Sequence, residues 1–277
     1  MPELPEVELI SRSLNLLVSG RKIVSAKLLR PRLAPDIAPV SFATKLRNSS
    51  FNFVHRRGKH VLFDLSGGNT LIVHLRMSGR FSILPAETGD PKFTHAVFNL
   101  EDGERLVFDD QRHFGLMKIV ETNQLFEAKE LKKLGPEPLS ADFTAQYLHT
   151  TLQSSSRRLK EFLIDQTKVC GVGNIYACEA MFAAGLDPRK LAKKITKPGA
   201  CRLHESIQAV LMEAISYGSG RPVDPRNLEG NYFSGSPGAG WYVYDREKQP
   251  CRNCNELIVR VKQGGRSTYF CRRCQRR

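Results

Sequence analysis

Four cysteines near the C-terminal end of the chain are spaced to hold a metal. Two residues separate Cys251 from Cys254, sixteen follow, and Cys271 and Cys274 repeat the short spacing. Two such knuckles supply four soft thiolates, the tetrahedral ligand set of one structural zinc ion, and the closed shell leaves no open position for catalysis. At its other end the chain opens MPELPEVE. Methionine aminopeptidases generally remove Met1 when a small residue follows, so Pro2 is expected to begin the mature chain with a secondary amine. An α-amine titrates near pH 8, whereas an ordinary lysine at pH 7.5 is unprotonated to only about one part in a thousand. The terminus is therefore a ready nucleophile.

The elements that must position these groups differ along the chain. Residues 21–121 read as short strands (KIVSAKLL, KHVLFDL, TLIVHLRM, AVFNLEDGERLVFDD, LMKIVE) divided by turn residues. Pro5 fits the first turn of a helix, where Glu6 and Glu8 would favour the helix dipole. From about residue 123 the spacing turns helical, LGPEPLS at 134–140 reads as a linker, and helices are expected near 142–152, 156–165, 174–184 and 200–217. Gly171 and Gly173 permit a tight turn in which Asn174 can cap the next helix, or whose exposed N–H groups can receive a phosphate. Between the cysteine pairs, LIVRV and STYF flank the glycine turn KQGGR, the pattern of a hairpin that presents Arg266. Residues 218–245 are rich in Gly, Pro and Ser and read as an unusually long loop, of the kind that is often functional or mobile.

Composition narrows the partner. The 277 residues include 42 Lys and Arg against 28 Asp and Glu, a net charge of +14, and the cations cluster at 56–60, 157–160, 190–197 and 272–277. A polyanion, nucleic acid first, is the expected partner. No run of eighteen apolar residues is present to span a bilayer, and no secretion signal is recognisable. The expectation is a soluble, monomeric cytoplasmic protein with reduced thiols; Cys170, Cys178 and Cys201 read as packed side chains.

In order along the chain, MPELPEVE, HRRGKH, HLRMSG, DDQRHFG, GVGNIYACEAMFAAGLDP and the four terminal cysteines resemble the bacterial formamidopyrimidine-DNA glycosylase family, and the opening differs from the PEGPE start usual in its relative endonuclease VIII. The resemblance implies an α+β multidomain fold: an N-terminal β-sandwich over 1–130, a helix-two-turn-helix domain over 131–245 with a lesion-recognition loop at 218–245, and a β-hairpin zinc finger over 246–277. It implies a bifunctional base-excision enzyme, a glycosylase and AP lyase acting on 8-oxoguanine and formamidopyrimidines in double-stranded DNA, and also on abasic sites.

In that chemistry the Pro2 nitrogen attacks C1′ of the damaged nucleotide, expels the base and forms a Schiff base, which acidifies C2′–H and allows β,δ-elimination. Glu3 is suited to proton transfer at the sugar. The resemblance assigns Lys59 to a phosphate beside the lesion, and His74, Lys160, Asn174 and Arg266 to other phosphates, so that the two domains grip one kinked strand. A base must leave the stack to react, and Met77, Arg112 and Phe114 match the side chains that fill the gap. The match weakens in loop 218–245 and at Asp245, where the family usually has glycine, so lesion preference is left open. Two alternatives stand beside this reading: a pyrimidine-preferring endonuclease VIII-like enzyme, and a noncatalytic lesion-binding zinc-finger protein.

Overall fold

The computed structural model describes residues 1–219, 223–226 and 240–276. They form two compact units, one of Met1–Pro2 and Glu6–Lys132 joined by residues 223–226, the other of Glu3–Pro5 with residues 133–219 and 240–276. Of the expected lesion-recognition loop at 218–245, residues 220–222 and 227–239 lie outside the described residues.

The first unit is a sandwich of two four-stranded antiparallel sheets. One has the order β1 (Ile23–Leu28), β6 (Thr94–Leu100), β7 (Glu104–Asp110), β5 (Gly79–Pro85); the other β2 (Phe51–Arg57), β3 (His60–Leu65), β4 (Asn69–His74), β8 (Leu116–Glu121). Phenylalanines on the inner faces interlock across it: Phe51 meets Phe98 at 6.3 Å, Phe63 meets Phe81 at 5.2 Å and Phe81 meets Phe108 at 5.1 Å, all edge-on. Helix α1 (Leu4–Val18) closes this core with Val7, Ile10, Leu14 and Val18, fully buried at helical spacing. Each such side chain contributes up to about 1.5–3 kcal/mol by leaving water. Pro5 stands in the first turn of α1, where its missing N–H costs nothing. Helix α2 (Pro39–Leu46) adds Phe42 and Leu46.

The second unit is helical, with α3 (Ala145–Gln153), α4 (Leu159–Leu163), α5 (Asn174–Ala183) and α6 (Lys197–Ser219) around Phe143, Leu152, Phe162, Tyr176, Met181 and Ile207. Every residue of α5 from Tyr176 to Phe182 is buried, which makes it the central helix. The zinc-finger hairpin, β9 (Val259–Gln263) and β10 (Arg266–Phe270), packs Ile258 and Tyr269 against Cys178 and Phe182 of α5. Cys170 and Cys178 are buried free thiols, and Cys201 is half-buried. No described helix is long and apolar enough to cross a membrane.

Candidate functional site

The start of α5 is occupied by a side chain from the beginning of the chain. The Glu3 carboxylate accepts backbone N–H bonds from Gly173 at 2.9 Å, Ile175 at 2.9 Å and Tyr176 at 3.2 Å, while Leu4 N–H donates to the Gly171 carbonyl at 3.0 Å. Those donors are the groups a helix start leaves unpaired, so no phosphate is needed to satisfy them. The glycines make room for this. A Cβ on Gly173 would lie 2.3 Å from Glu3 Cδ, and one on Gly171, whose φ is 80°, would lie 2.6 Å from Leu4 Cδ1. Asn174 is the first helical residue rather than the cap, and its Nδ2 donates to the Ser267 carbonyl at 3.1 Å.

In the first unit, an open pocket of about 440 Å³ is lined by Met1, Arg76, Met77, His113 and Phe114 among others. Met77 and Phe114 are 44% and 48% exposed, and the Arg112 guanidinium lies 5.4 Å from the Phe114 ring centre. Asp110, fully buried, shapes the turn that carries Arg112 and Phe114. Its carboxylate accepts N–H bonds from Arg112 at 3.2 Å, Phe114 at 2.7 Å and Gly115 at 2.7 Å, and also a bond from the Ser78 hydroxyl. Burial alone would raise its pKa, but these donors together hold it below the usual carboxylate range.

His74 ends β4, and its Nδ1 accepts the Arg76 N–H at 3.0 Å. Burial, with His60, Arg76 and Lys59 nearby, holds its pKa well below the usual histidine value. A neutral ring whose Nδ1 accepts must carry its proton on Nε2, so His74 offers one uncharged donor. His60 meets it edge-on at 4.7 Å, and burial lowers the His60 pKa to about 4. Lys59, largely buried, follows Gly58 in the turn between β2 and β3; Gly58 has φ 58°.

Lys160, expected at a phosphate, is placed inside the second unit. Its side chain is fully buried, and Nζ donates to the Ser267 carbonyl at 2.9 Å and Thr268 Oγ1 at 2.8 Å. It therefore grips β10 beside Arg266, whose own side chain is exposed. Ser267 thus receives both Lys160 and Asn174, which fixes the hairpin on α4 and α5.

The four cysteine sulfurs lie within 4.8 Å of one another, with Cys251 and Cys274 at 3.8 Å and Cys254 and Cys271 at 3.5 Å. Ligands about 2.3 Å from a tetrahedral zinc stand about 3.8 Å apart, so the cluster fits one structural zinc ion.

Two positioning groups were missed in the sequence. Asp110 stands there only as the last residue of the strand stretch AVFNLEDGERLVFDD. Glu179 of α5 is buried and accepts three consecutive N–H bonds, from Tyr242 at 2.9 Å, Val243 at 3.0 Å and Tyr244 at 2.8 Å. Asp245 follows with φ 57°, a conformation glycine adopts freely, and its Oδ1 accepts the Tyr269 hydroxyl at 3.3 Å. Only the i to i+5 spacing within DDQRHFG hints at the first of these groups.

Protein-family models match in series along the chain: the formamidopyrimidine-DNA glycosylase N-terminal domain over residues 1–117, the H2TH domain of the same family over 134–223, and a zinc finger found in FPG and IleRS over 248–277. Formamidopyrimidine-DNA glycosylases of a Bradyrhizobium strain and of Bacillus subtilis are 42% and 37% identical to it, over 100% and 99% of both chains. Among solved structures, the Lactococcus lactis protein bound to DNA containing an oxidised pyrimidine superposes with a TM-score of 0.90, and its complex with N7-benzyl-Fapy-dG DNA with 0.91. Each is 30% identical and covered in full. The chain therefore belongs to the formamidopyrimidine-DNA glycosylase family of DNA repair enzymes.

Proposed function

We propose that this enzyme removes oxidised purines, 8-oxoguanine and formamidopyrimidines, from double-stranded DNA, and then cleaves the strand through a Schiff base on Pro2. The observation that carries this reading is that Met1 lines the pocket that Met77 and Phe114 also line, so the amine uncovered by removal of Met1 opens onto it. Attack of the Pro2 nitrogen on C1′ breaks the glycosidic bond, and the base departs with a proton. The attacking nitrogen gives up its proton, Glu3 passes one to O4′, and cleavage of the C1′–O4′ bond opens the sugar to an iminium, which draws electrons from C2′–H. Loss of that proton expels the 3′ phosphate, and a second elimination expels the 5′ phosphate.

Glu3 is the proton-transfer group at the opening sugar. The three N–H bonds it accepts fix its carboxylate, and a carboxylate already oriented reacts without further ordering cost. His74 supplies an uncharged donor to a phosphate, while Lys59, Asn174 and Arg266 supply further phosphate contacts. Met77 and Phe114 enter the stack where the base has left, and Arg112 meets the orphaned partner. The structural zinc holds the hairpin that presents Arg266. Because the Lactococcus lactis relative has been solved with DNA carrying an oxidised pyrimidine, oxidised pyrimidines are the second substrate class to compare.

Borohydride is the test. It should reduce the iminium and trap the protein on a duplex containing 8-oxoguanine as a covalent adduct. A retained Met1, verified by mass, turns the Pro2 nitrogen into a tertiary amide that is not nucleophilic and should abolish the adduct while DNA binding persists. Normal trapping by the extended protein would move the nucleophile to a lysine.

A further inference from the structure

His113 stands between Arg112 and Phe114 in the turn ordered by Asp110, and the functional reading above gives it no task. Its backbone is left-handed, φ 57°, which turns the exposed ring back onto β6. There its Nδ1 lies 2.8 Å from Nε2 of His95, with the rings stacked at 5.0 Å and 21°. His95 is only 4% exposed. A bond between two imidazole nitrogens needs one donor and one acceptor, so it survives one added proton on the pair and breaks if both rings become cations.

The surroundings decide which ring takes that proton. Burial lowers the pKa of His95; Asp110 favours its charged form, while His113 and Arg30 oppose it, and Asp109 on β7 also feels the His95 charge. Burial thereby disfavours the charged form of His95, which suits it to accept the bond, and His113 is the solvent-exposed partner. Across the pocket that His113 lines stand Arg32 and Arg76, and Phe93, which carries Lys92 over its face, meets the His113 ring edge-on at 6.0 Å. A phosphate brought into this cationic surround favours a positive charge beside it.

We propose that His113 is a proton-dependent DNA contact, held against His95 and taking up a proton when a phosphate docks, so that DNA affinity rises as pH falls. The inference rests on the DNA-binding role proposed above. Its size is that of one solvent-screened cation–phosphate contact, roughly three- to tenfold in Kd across the interval from about pH 5 to 8 in which histidines exchange protons.

The test is fluorescence anisotropy with a labelled duplex carrying a stable abasic-site analogue, at fixed ionic strength between about pH 5.5 and 8. The wild-type Kd should weaken by that factor as pH rises. His113→Asn keeps a residue that tolerates left-handed backbone and a side-chain donor for His95 but cannot be charged, so it should bind weakly with the excess pH dependence gone. His113→Arg carries a permanent charge and should bind tightly, again without it. The remaining histidines are common to all three proteins, so the comparison isolates the pair of His113 and His95. Should the Asn variant not fold, the Arg variant alone decides. Variants that keep the wild-type slope overturn the inference, whereas failure of every form to bind the duplex at any pH overturns the DNA-binding reading and the inference with it.

Discussion

Two turns in this molecule are organised by the same device, a buried carboxylate that gathers backbone N–H groups, and they differ in where the carboxylate comes from. Asp110 collects the N–H groups of Arg112, Phe114 and Gly115 from within its own turn. Glu3 collects those of Gly173, Ile175 and Tyr176 across 170 to 173 residues of chain. Each is paired with a glycine that a Cβ would spoil. On Gly115 it would lie 2.9 Å from the Phe108 ring and 3.2 Å from Asp110 Oδ2, and on Gly173 it would lie 2.3 Å from Glu3 Cδ. The local version shapes side chains assigned to the DNA. The distant version ties a residue assigned to the chemistry to the rigid start of a buried helix. Disturbing the first should weaken recognition and stability together; disturbing the second should strike the reaction hardest.

The largest effect is therefore expected from Gly173→Ala, which substitutes none of the proposed catalytic residues. The added methyl must expel the Glu3 carboxylate, and a misplacement of about 1 Å costs on the order of 100-fold in rate. Single-turnover excision of 8-oxoguanine should fall by about that factor, with DNA binding changed far less. An unaltered excision rate would mean that the position of Glu3 is not critical.

Asp110→Asn comes next. The amide keeps one acceptor oxygen but turns an NH₂ toward backbone N–H groups, leaving at least one of them unsatisfied at a cost of about 1–3 kcal/mol. Urea unfolding should show that loss at neutral pH. The Asp110 carboxyl is held below its usual pKa by Ser78 and the three N–H groups against the opposing effect of burial. Its contribution is thus complete above the unfolded value of about 3.9 and fades as pH falls through the lower folded one. The wild type and variant should therefore converge in acid; a gap that stays constant down to about pH 2 would contradict this account.

These two turns also show how far the sequence could be read. The zinc knuckles, the hairpin and the four later helices follow from spacing alone, because each pattern is completed by near neighbours. Strand β2 was hidden because FNFVHRR exposes or half-exposes most of its length and its charges break the alternation. Strand β5 ends on Pro85 and begins on a glycine, both poor strand signals. Lys160 sits beside Arg157 and Arg158, where a lysine reads as solvated, and only the packing of β10 on α4 buries it. Asn174 has the side chain of a cap, yet the cap function had already gone to a residue at the far end of the chain. Long-range partners of this kind leave no periodic trace; the glycines of GVGN are their only mark.

The third carboxylate of this type, Glu179, sharpens the comparison through an opposite response to pH and the smallest expected effect. Like Asp110 and Glu3 it accepts three N–H bonds, but here burial outweighs those from Tyr244, Val243 and Tyr242, and its pKa is raised. A carboxyl raised in the folded state binds more protons there than in the unfolded chain. Its contribution to stability therefore declines as pH climbs from about 4.3, the unfolded value, through the folded one. Glu179→Gln removes that titration, so the variant should fall furthest below the wild type in mild acid and approach it as pH rises through the folded value, above which the difference should stay under about 1 kcal/mol. The local readout is Trp241, the chain's single tryptophan, which meets Tyr176 at 5.6 Å and Tyr244 at 6.4 Å, both edge-on, next to the N–H groups that Glu179 holds. Loss of the charge in mild acid weakens the hold on Tyr242 to Tyr244, so Trp241 emission in the folded wild type should change as pH rises from about 4.3 through the folded value. In Glu179→Gln it should not. The same emission change in both proteins would assign it to another group and leave Glu179 as a packing residue whose protonation does not reach the segment it holds.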